Sequence, residues 1–153
     1  MSKWNSAEWE ALYSGGSLSD LPRWPPIWNS GKAKRDLPKL TSSPESPMRG
    51  YCCLVLKRHA VELHDLNAEE GAALMTDMQR VAEALQTITG AVKLNYEIHG
   101  NTIPHLHVHL LPRYKGDPFE QGPIDPRRIE GSPYKAGEFE KFTQRLQARL
   151  SEG

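Results

Sequence analysis

Residues 92–100, VKLNYEIHG, set Val92, Leu94, Tyr96 and Ile98 in alternation with Lys93, Asn95 and Glu97, the pattern of a strand with one face buried. Residues 105–112, HLHVHLLP, alternate in the same way, with Leu106, Val108 and Leu110 opposite His105, His107 and His109. The intervening residues 101–104 read as a hairpin connection. YCCLVLKR, 51–58, is a compact apolar run bounded by Gly50 and reads as a central strand. Elsewhere the period becomes helical. Leu74, Met78, Val81, Leu85 and Ile88 recur at helix spacing, Asn67 and Glu70 fit a capping box at the start, and Gly90 supplies the stop. EFEKFTQRLQARL near the C-terminus puts Phe139, Phe142, Leu146 and Leu150 on one side of a last helix, and SAEWEALY, 6–13, fits a short first one. Short edge strands are expected near 26–30 and 35–40. The outline is α+β: an antiparallel sheet of about five strands, with the long helix and the C-terminal helix packed on one face and any chemistry on the other.

At 153 residues the chain fits one domain, 1–153, large enough to bury a core without metal or disulfide staples. The expected organisation is an irregular segment over 1–47, a core over 48–118, and a loop with the closing helix over 119–153. The first segment is rich in proline and serine, and Trp24, Ile27 and Trp28 are its bulky anchors. Lysine plus arginine equal aspartate plus glutamate, 19 against 19, so no global field attracts nucleic acid or an anionic membrane. The cysteines, Cys52 and Cys53, are adjacent and would point to opposite faces of a strand, a poor disulfide pair. No Cys-x-x-Cys pair marks a structural zinc site. No basic-then-apolar leader and no apolar run of membrane-spanning length is visible, so a soluble cytoplasmic protein is the expectation.

The alternating histidines carry the chemistry. On a strand, neighbours in the row lie about 6.6 Å apart at Cα and the outer two about 13 Å. Two adjacent imidazoles in such a row can share a zinc ion at roughly 2.0–2.1 Å, but three do so only if the strand bends sharply. The row suits an extended phosphate touched at several points. With an unperturbed pKa of about 6.5, one ring can be neutral and nucleophilic while its neighbour manages charge. Attack of a ring nitrogen on phosphorus divides one difficult displacement into two easier ones. A metal site and a packed or solvated histidine face stay open as other readings of the same spacing.

LNYEIHGNTIPHLHVHLLPRY, RGYCCLVLKRH and the DLNAEE that opens the long helix together resemble the histidine triad (HIT) family, whose motif is His-x-His-x-His followed by apolar residues, and in particular its dinucleoside polyphosphate hydrolase-like members. The resemblance implies a nucleotide hydrolase or nucleotidyl transferase acting at an α-phosphorus through a nucleotidyl-histidine. It implies His107 as nucleophile, His109 at the phosphate oxygens and leaving group, and His105 orienting the nucleophile. It further implies Asn95, Asn101 and Thr102 as phosphate contacts, a nucleotide as substrate, a homodimer with the long helix or the 92–98 strand as interface, and no cofactor. The family's Gly-His before the central strand reads Gly50-Tyr51 here, and its acidic ribose ligand has no counterpart in Thr41-x-x-Pro44. Ser43, Ser46 and Trp28 are the candidates for a nucleoside pocket. His59, His64 and His99 fall outside the row, with His59 expected at the surface. Arg113, Lys115, Arg127 and Arg128 in the following loop read as solvated charges that could also steer a polyphosphate. The alternatives to the anhydride hydrolase are a nucleoside phosphoramidate hydrolase, a non-catalytic nucleotide-binding module, and an enzyme using the histidines as metal ligands.

Overall fold

The computed structural model describes residues 7–15, 26–29, 39–125, 128 and 131–152, without the side chains at 8, 9, 12, 26–29 and 39. The expectations attached to Trp24, Ile27, Trp28 and Arg127 therefore lie outside the described residues or side chains. The elements in chain order are α1 (Ala7–Tyr13), β1 (Pro26–Asn29), β2 (Lys39–Thr41), β3 (Cys52–Val55), a 3-10 turn (Leu63–Asp65), α2 (Ala68–Thr89), β4 (Lys93–Glu97), β5 (His107–Arg113) and α3 (Glu138–Ser151). The strands form one antiparallel sheet in the order β1-β2-β3-β5-β4. The α+β expectation holds.

Register assigns the two faces. Opposite residues of an antiparallel pair point to the same side. The pairs Cys52 with Leu110, Leu54 with Val108, and Tyr96 with Leu110 mark the helix-covered side. Leu40, Leu54, Val108 and Leu110 are fully buried there against Leu74, Val81 and Leu85 of α2 and Phe142, Leu146 and Leu150 of α3. Each such side chain contributes roughly 1.5–3 kcal/mol by leaving water. The pairs Cys53 with His109, Val55 with His107, and Glu97 with His109 mark the other side. The two cysteines thus take opposite faces, and both are free thiols.

α2 begins and ends as its sequence dictates. The Asn67 side chain accepts from the Glu70 N–H, and the Glu70 carboxylate accepts from the Asn67 N–H. Arg58, just past β3, donates to both oxygens of that carboxylate at 2.6 Å and ties the helix start to the sheet. Gly90 closes the helix in the left-handed conformation, where only a residue without Cβ sits free of strain. Gly50 has two reasons to be glycine. Its φ is +79°, and a Cβ there would lie 2.8 Å from Cγ2 of Thr89 and 3.1 Å from Cγ of Pro112. Its N–H donates to the Tyr134 hydroxyl, which fixes the chain as it enters β3.

Several boundaries differ from the sequence reading. β2 is Lys39–Thr41 against the expected 35–40, β3 covers 52–55 rather than 51–58, β4 covers 93–97 rather than 92–100, and β5 begins at His107 rather than His105. The link between β4 and β5 therefore spans residues 98–106 and is no tight hairpin. Pro104 has no N–H to donate, the His105 N–H turns back to the Ile103 carbonyl, and the Leu106 N–H donates to Ala60 across the β3 side. These bonds take the segment before His107 out of any ladder with β4.

One helix residue breaks the apolar pattern. Asp77 of α2 is only 5% exposed, and its Oδ2 meets no hydrogen-bond donor among the described residues. Burial raises its carboxyl pKa, with Arg80 acting the other way. A folded pKa above the unfolded one, about 3.9, means the penalty is absent when the acid is protonated in both states and grows as pH rises through the folded pKa. Asp77→Asn is expected to stabilise the protein by about 1 kcal/mol at pH 7 in urea denaturation, with the gain disappearing near about pH 3.

Candidate active site

β5 presents His107 and His109 on the open face, one step from β3 on one side and from β4 on the other. Their rings meet edge to face, with centroids 4.7 Å apart. His107 is half-buried, and its Nδ1 donates to the carbonyl of His105 at 2.6 Å. A neutral imidazole carries one N–H and one lone pair, so this bond leaves the lone pair on Nε2.

His109 is held by Tyr51. The tyrosine hydroxyl and His109 Nδ1 are 2.7 Å apart, and the two rings stack at an interplanar angle of 17°. Burial brings the His109 pKa down to about 4, helped by His107 and His99 and opposed by Glu97. His109 is therefore neutral across the physiological range. Burial pushes the Tyr51 hydroxyl far above the ordinary range for tyrosine, with further contributions from Cys53, Cys52 and Glu97, so it keeps its proton.

His105 does not share a ring contact with this pair. It precedes the strand, is almost wholly buried, donates Nε2–H to the Leu56 carbonyl at 2.6 Å, and lies against the ring of His59. Burial lowers its pKa, opposed by the bond to Leu56 and reinforced by His59 and His107. The row expected along one strand face is thus two exposed-face imidazoles and one buried anchor that lends its carbonyl. Loss of the ladder before His107 is the physical reason. His59, expected at the surface, is half-buried and donates Nε2–H to the Tyr13 carbonyl at 2.9 Å, which docks the end of α1 on the core. His64 is exposed.

The other candidates divide. Asn95 is half-buried on β4 and opposite Leu111, on the same face as His109. Asn101 and Thr102 are exposed on the 98–106 connection. The Ser43 hydroxyl accepts from the Glu45 N–H, and the Ser46 hydroxyl donates to the Met48 carbonyl, so both close turns. Sequence reasoning passed over His99. Its ring lies 5.6 Å from that of His109, and its Nε2 bonds Glu97 at 3.0 Å. The signal was available in principle: a histidine two residues beyond a strand position that faces the triad. Among the described residues, no three histidine, cysteine, aspartate or glutamate side chains converge to hold a metal ion.

The loop after β5 builds a wall beside Tyr51. Met48, Tyr51, Leu111, Phe119 and Ile124 form a second apolar cluster on the open face. Arg113 holds the loop there. Rather than being a solvated or steering charge, it is buried and paired with Asp117 through two 2.9 Å bonds, and it also donates to the carbonyls of Phe119 and Gly122. Arg128 lies over the Phe119 ring at 5.5 Å, and Lys115 is exposed.

The HIT domain matches residues 37–116, more than half of the chain. The chain belongs to the histidine triad family. The HIT chain is 32% identical over 73 residues to the asymmetrical bis(5'-nucleosyl)-tetraphosphatase of Schizosaccharomyces pombe, covering 44% of this chain and 40% of that protein. It is 40% identical over 58 residues to the bifunctional bis(5'-adenosyl)-triphosphatase/adenylylsulfatase of Arabidopsis thaliana, covering 35% and 32% respectively. It thus spans less than half the length of either relative. Among solved structures, a histidine triad protein from Bradyrhizobium japonicum superposes with a TM-score of 0.66 at 32% identity, over 77% of this chain and 87% of that one. One from Marinobacter aquaeolei gives 0.70 at 23% identity, over 83% and 88%, which speaks to the fold alone.

The Asp117 carboxyl is held down to about 2, chiefly by its hydrogen bonds from Arg113. With a depressed folded pKa, the stabilisation is complete above the unfolded value of about 3.9 and is lost as pH falls towards 2. Asp117→Ala leaves a buried guanidinium unpaired and is expected to cost about 3 kcal/mol in thermal denaturation at pH 7. The gap to the wild type should narrow steadily as the pH of the scan is lowered from about 4 to 2.

Proposed function

We propose that this HIT protein is a nucleotide hydrolase or nucleotidyl transferase that acts at the α-phosphorus of nucleotide anhydrides such as dinucleoside polyphosphates. The observation that carries the reading is the bond from His107 Nδ1 to the His105 carbonyl, which leaves the Nε2 lone pair as the nucleophile. The two named relatives, a dinucleoside tetraphosphatase and a dinucleoside triphosphatase, support the substrate class.

In this scheme the His107 Nε2 lone pair forms a bond to phosphorus, and the bridging P–O bond breaks with its electrons on the departing phosphate oxygen. The nucleotidyl-imidazolium keeps Nδ1–H on the His105 carbonyl, whose dipole faces the new positive charge. Water, or another acceptor, then attacks phosphorus. The P–N bond breaks, its electrons return to Nε2, and the proton of the attacking water passes to solvent. His109 stabilises the phosphate oxygens and the leaving group. Asn95 holds the phosphate from β4, and Asn101 and Thr102 do so from the connection. No cofactor enters the scheme.

We further propose a homodimer through β4. This strand is an edge of the sheet; Tyr96 within it is 51% exposed and the flanking Val92 and Ile98 are 64% and 42% exposed, while Leu94 is buried. An open strand edge with apolar neighbours favours pairing with a second copy.

His107→Ala is expected to lower kcat by at least about a thousandfold on a dinucleoside polyphosphate while nucleotide binding persists. Rapid quench and mass analysis of the wild type should find a nucleotidyl adduct on His107. Binding without turnover across dinucleoside polyphosphates, phosphoramidates and sugar nucleotides would instead make the protein a binding module. For the dimer, Tyr96→Glu together with Ile98→Glu should yield monomers in sedimentation, and a wild type that sediments as a monomer overturns the interface.

A further inference from the structure

Position 51 carries tyrosine where the family pattern has histidine, and the structure shows what the hydroxyl meets. It lies 2.7 Å from Nδ1 of His109, in a ring stack whose centroids are 5.9 Å apart. The ring is fixed by its place among Met48, Leu111, Phe119 and Ile124. The backbone is fixed as well: the Tyr51 N–H donates to the Met48 carbonyl, and its carbonyl accepts from the buried Ser42 hydroxyl. Gly50, which tolerates no Cβ, sets the approach. Every support of this contact is built.

The direction of the bond follows from acid strength. A phenol, with pKa about 10, is a far better donor than a neutral imidazole N–H, and an imidazole nitrogen is a far better acceptor than a phenol oxygen. O–H to Nδ1 is thus the favoured pairing, and it places the His109 proton on Nε2. We propose that Tyr51 is a positioning residue: by donating to Nδ1 it holds His109 as a neutral Nε2–H donor, which matches the site to a leaving group that departs as an anionic phosphate rather than as an amine. The inference rests on the phosphorus chemistry proposed above.

The chemical discrimination is direct. A phosphate leaving an anhydride departs as an anion and needs only a hydrogen bond to its bridging oxygen. An amine leaving a phosphoramidate must receive a whole proton, and a neutral imidazole N–H is too weak an acid to give one near neutrality. His107 and His109 then form a complementary pair, one offering a lone pair and the other an N–H. The other groups facing His109 are Cys53 directly across on β3, Glu97 directly across on β4, and His99 on the connection. Glu97 favours the cation, while His107, His99 and burial oppose it. A donor on Nδ1 adds to the opposition, because the lone pair that would take a proton is already engaged.

Long-range proton–nitrogen correlation spectra of histidine-labelled protein test the tautomer, with His109 assigned through the signals missing in His109→Gln. The wild type at pH 7 should show an unprotonated Nδ1 and a protonated Nε2. Tyr51→Phe keeps the packed ring and removes the hydroxyl; it should give a tautomer mixture and a midpoint raised above the wild type's value of about 4. The ratio of kcat/KM for a dinucleoside polyphosphate to that for a nucleoside phosphoramidate with an alkylamine leaving group should fall about tenfold in Tyr51→Phe. A wild-type spectrum with Nδ1 protonated overturns the proposal, and does so even if the variant fails to fold. So does a variant whose tautomer and substrate ratio both match the wild type. Turnover of neither substrate by the wild type removes the phosphorus chemistry and the leaving-group match with it, while the spectra still decide what Tyr51 does to His109.

Discussion

Strand β5 is buried on one side and carries His107 and His109 on the other, and the rest of the molecule is arranged around that alternation. Val108 and Leu110 have no exposure at all because α2 and α3 cover them, whereas His107 and His109, one residue out of phase, reach the opposite face. A shift of one residue in the pairing with β3 or β4 would put imidazoles into the helix-covered core and leucines at the site. The hydrophobic interaction that fixes the register is therefore also what places the His107 and His109 rings on the open face.

Around that strand, the polar groups settle which nitrogen carries which proton. The carbonyl of His105 takes the Nδ1–H of His107, and the hydroxyl of Tyr51 engages Nδ1 of His109. Both partners are themselves anchored. His105 is buried with its ring bonded to Leu56 of the neighbouring chain segment, and Tyr51 is packed under the loop held by Arg113 and Asp117. The two rings are thus held in place by one buried histidine and by one tyrosine packed into the wall beside them. The low pKa of His109 follows from the same enclosure, since the wall that positions Tyr51 also removes water from the imidazole beside it.

Much of this was legible in the chain. The capping box of Asn67 and Glu70, the stop at Gly90, the apolar faces of α2 and α3, and the opposed faces of Cys52 and Cys53 are local consequences of residue type and period. They were read correctly because neighbours in sequence decide them. The motif His-x-His-x-His identified the family. The start of β5 was misplaced because the alternation continues through His105 while the regular ladders with β3 and β4 do not. Pro104 and the bond from Leu106 to Ala60 divert the backbone, and no pattern of apolar residues records that. Arg113 was read as a loop charge for a similar reason: its four acceptors come from a turn that only folding brings around it.

The amino-acid sequence alone thus determined the elements, the face on which the histidines emerge and the family, because period, caps and motif are short-range properties. Only the tertiary structure decided that the triad is two open rings and one buried anchor, that His59 docks α1 onto the core, and that His99 and Tyr51 stand beside His109. Those relations join residues from β5, the end of α1 and three different connections. They exist because strands far apart in the chain pair side by side, and the one-dimensional order of residues holds no record of which side chains such pairing will bring within hydrogen-bonding distance.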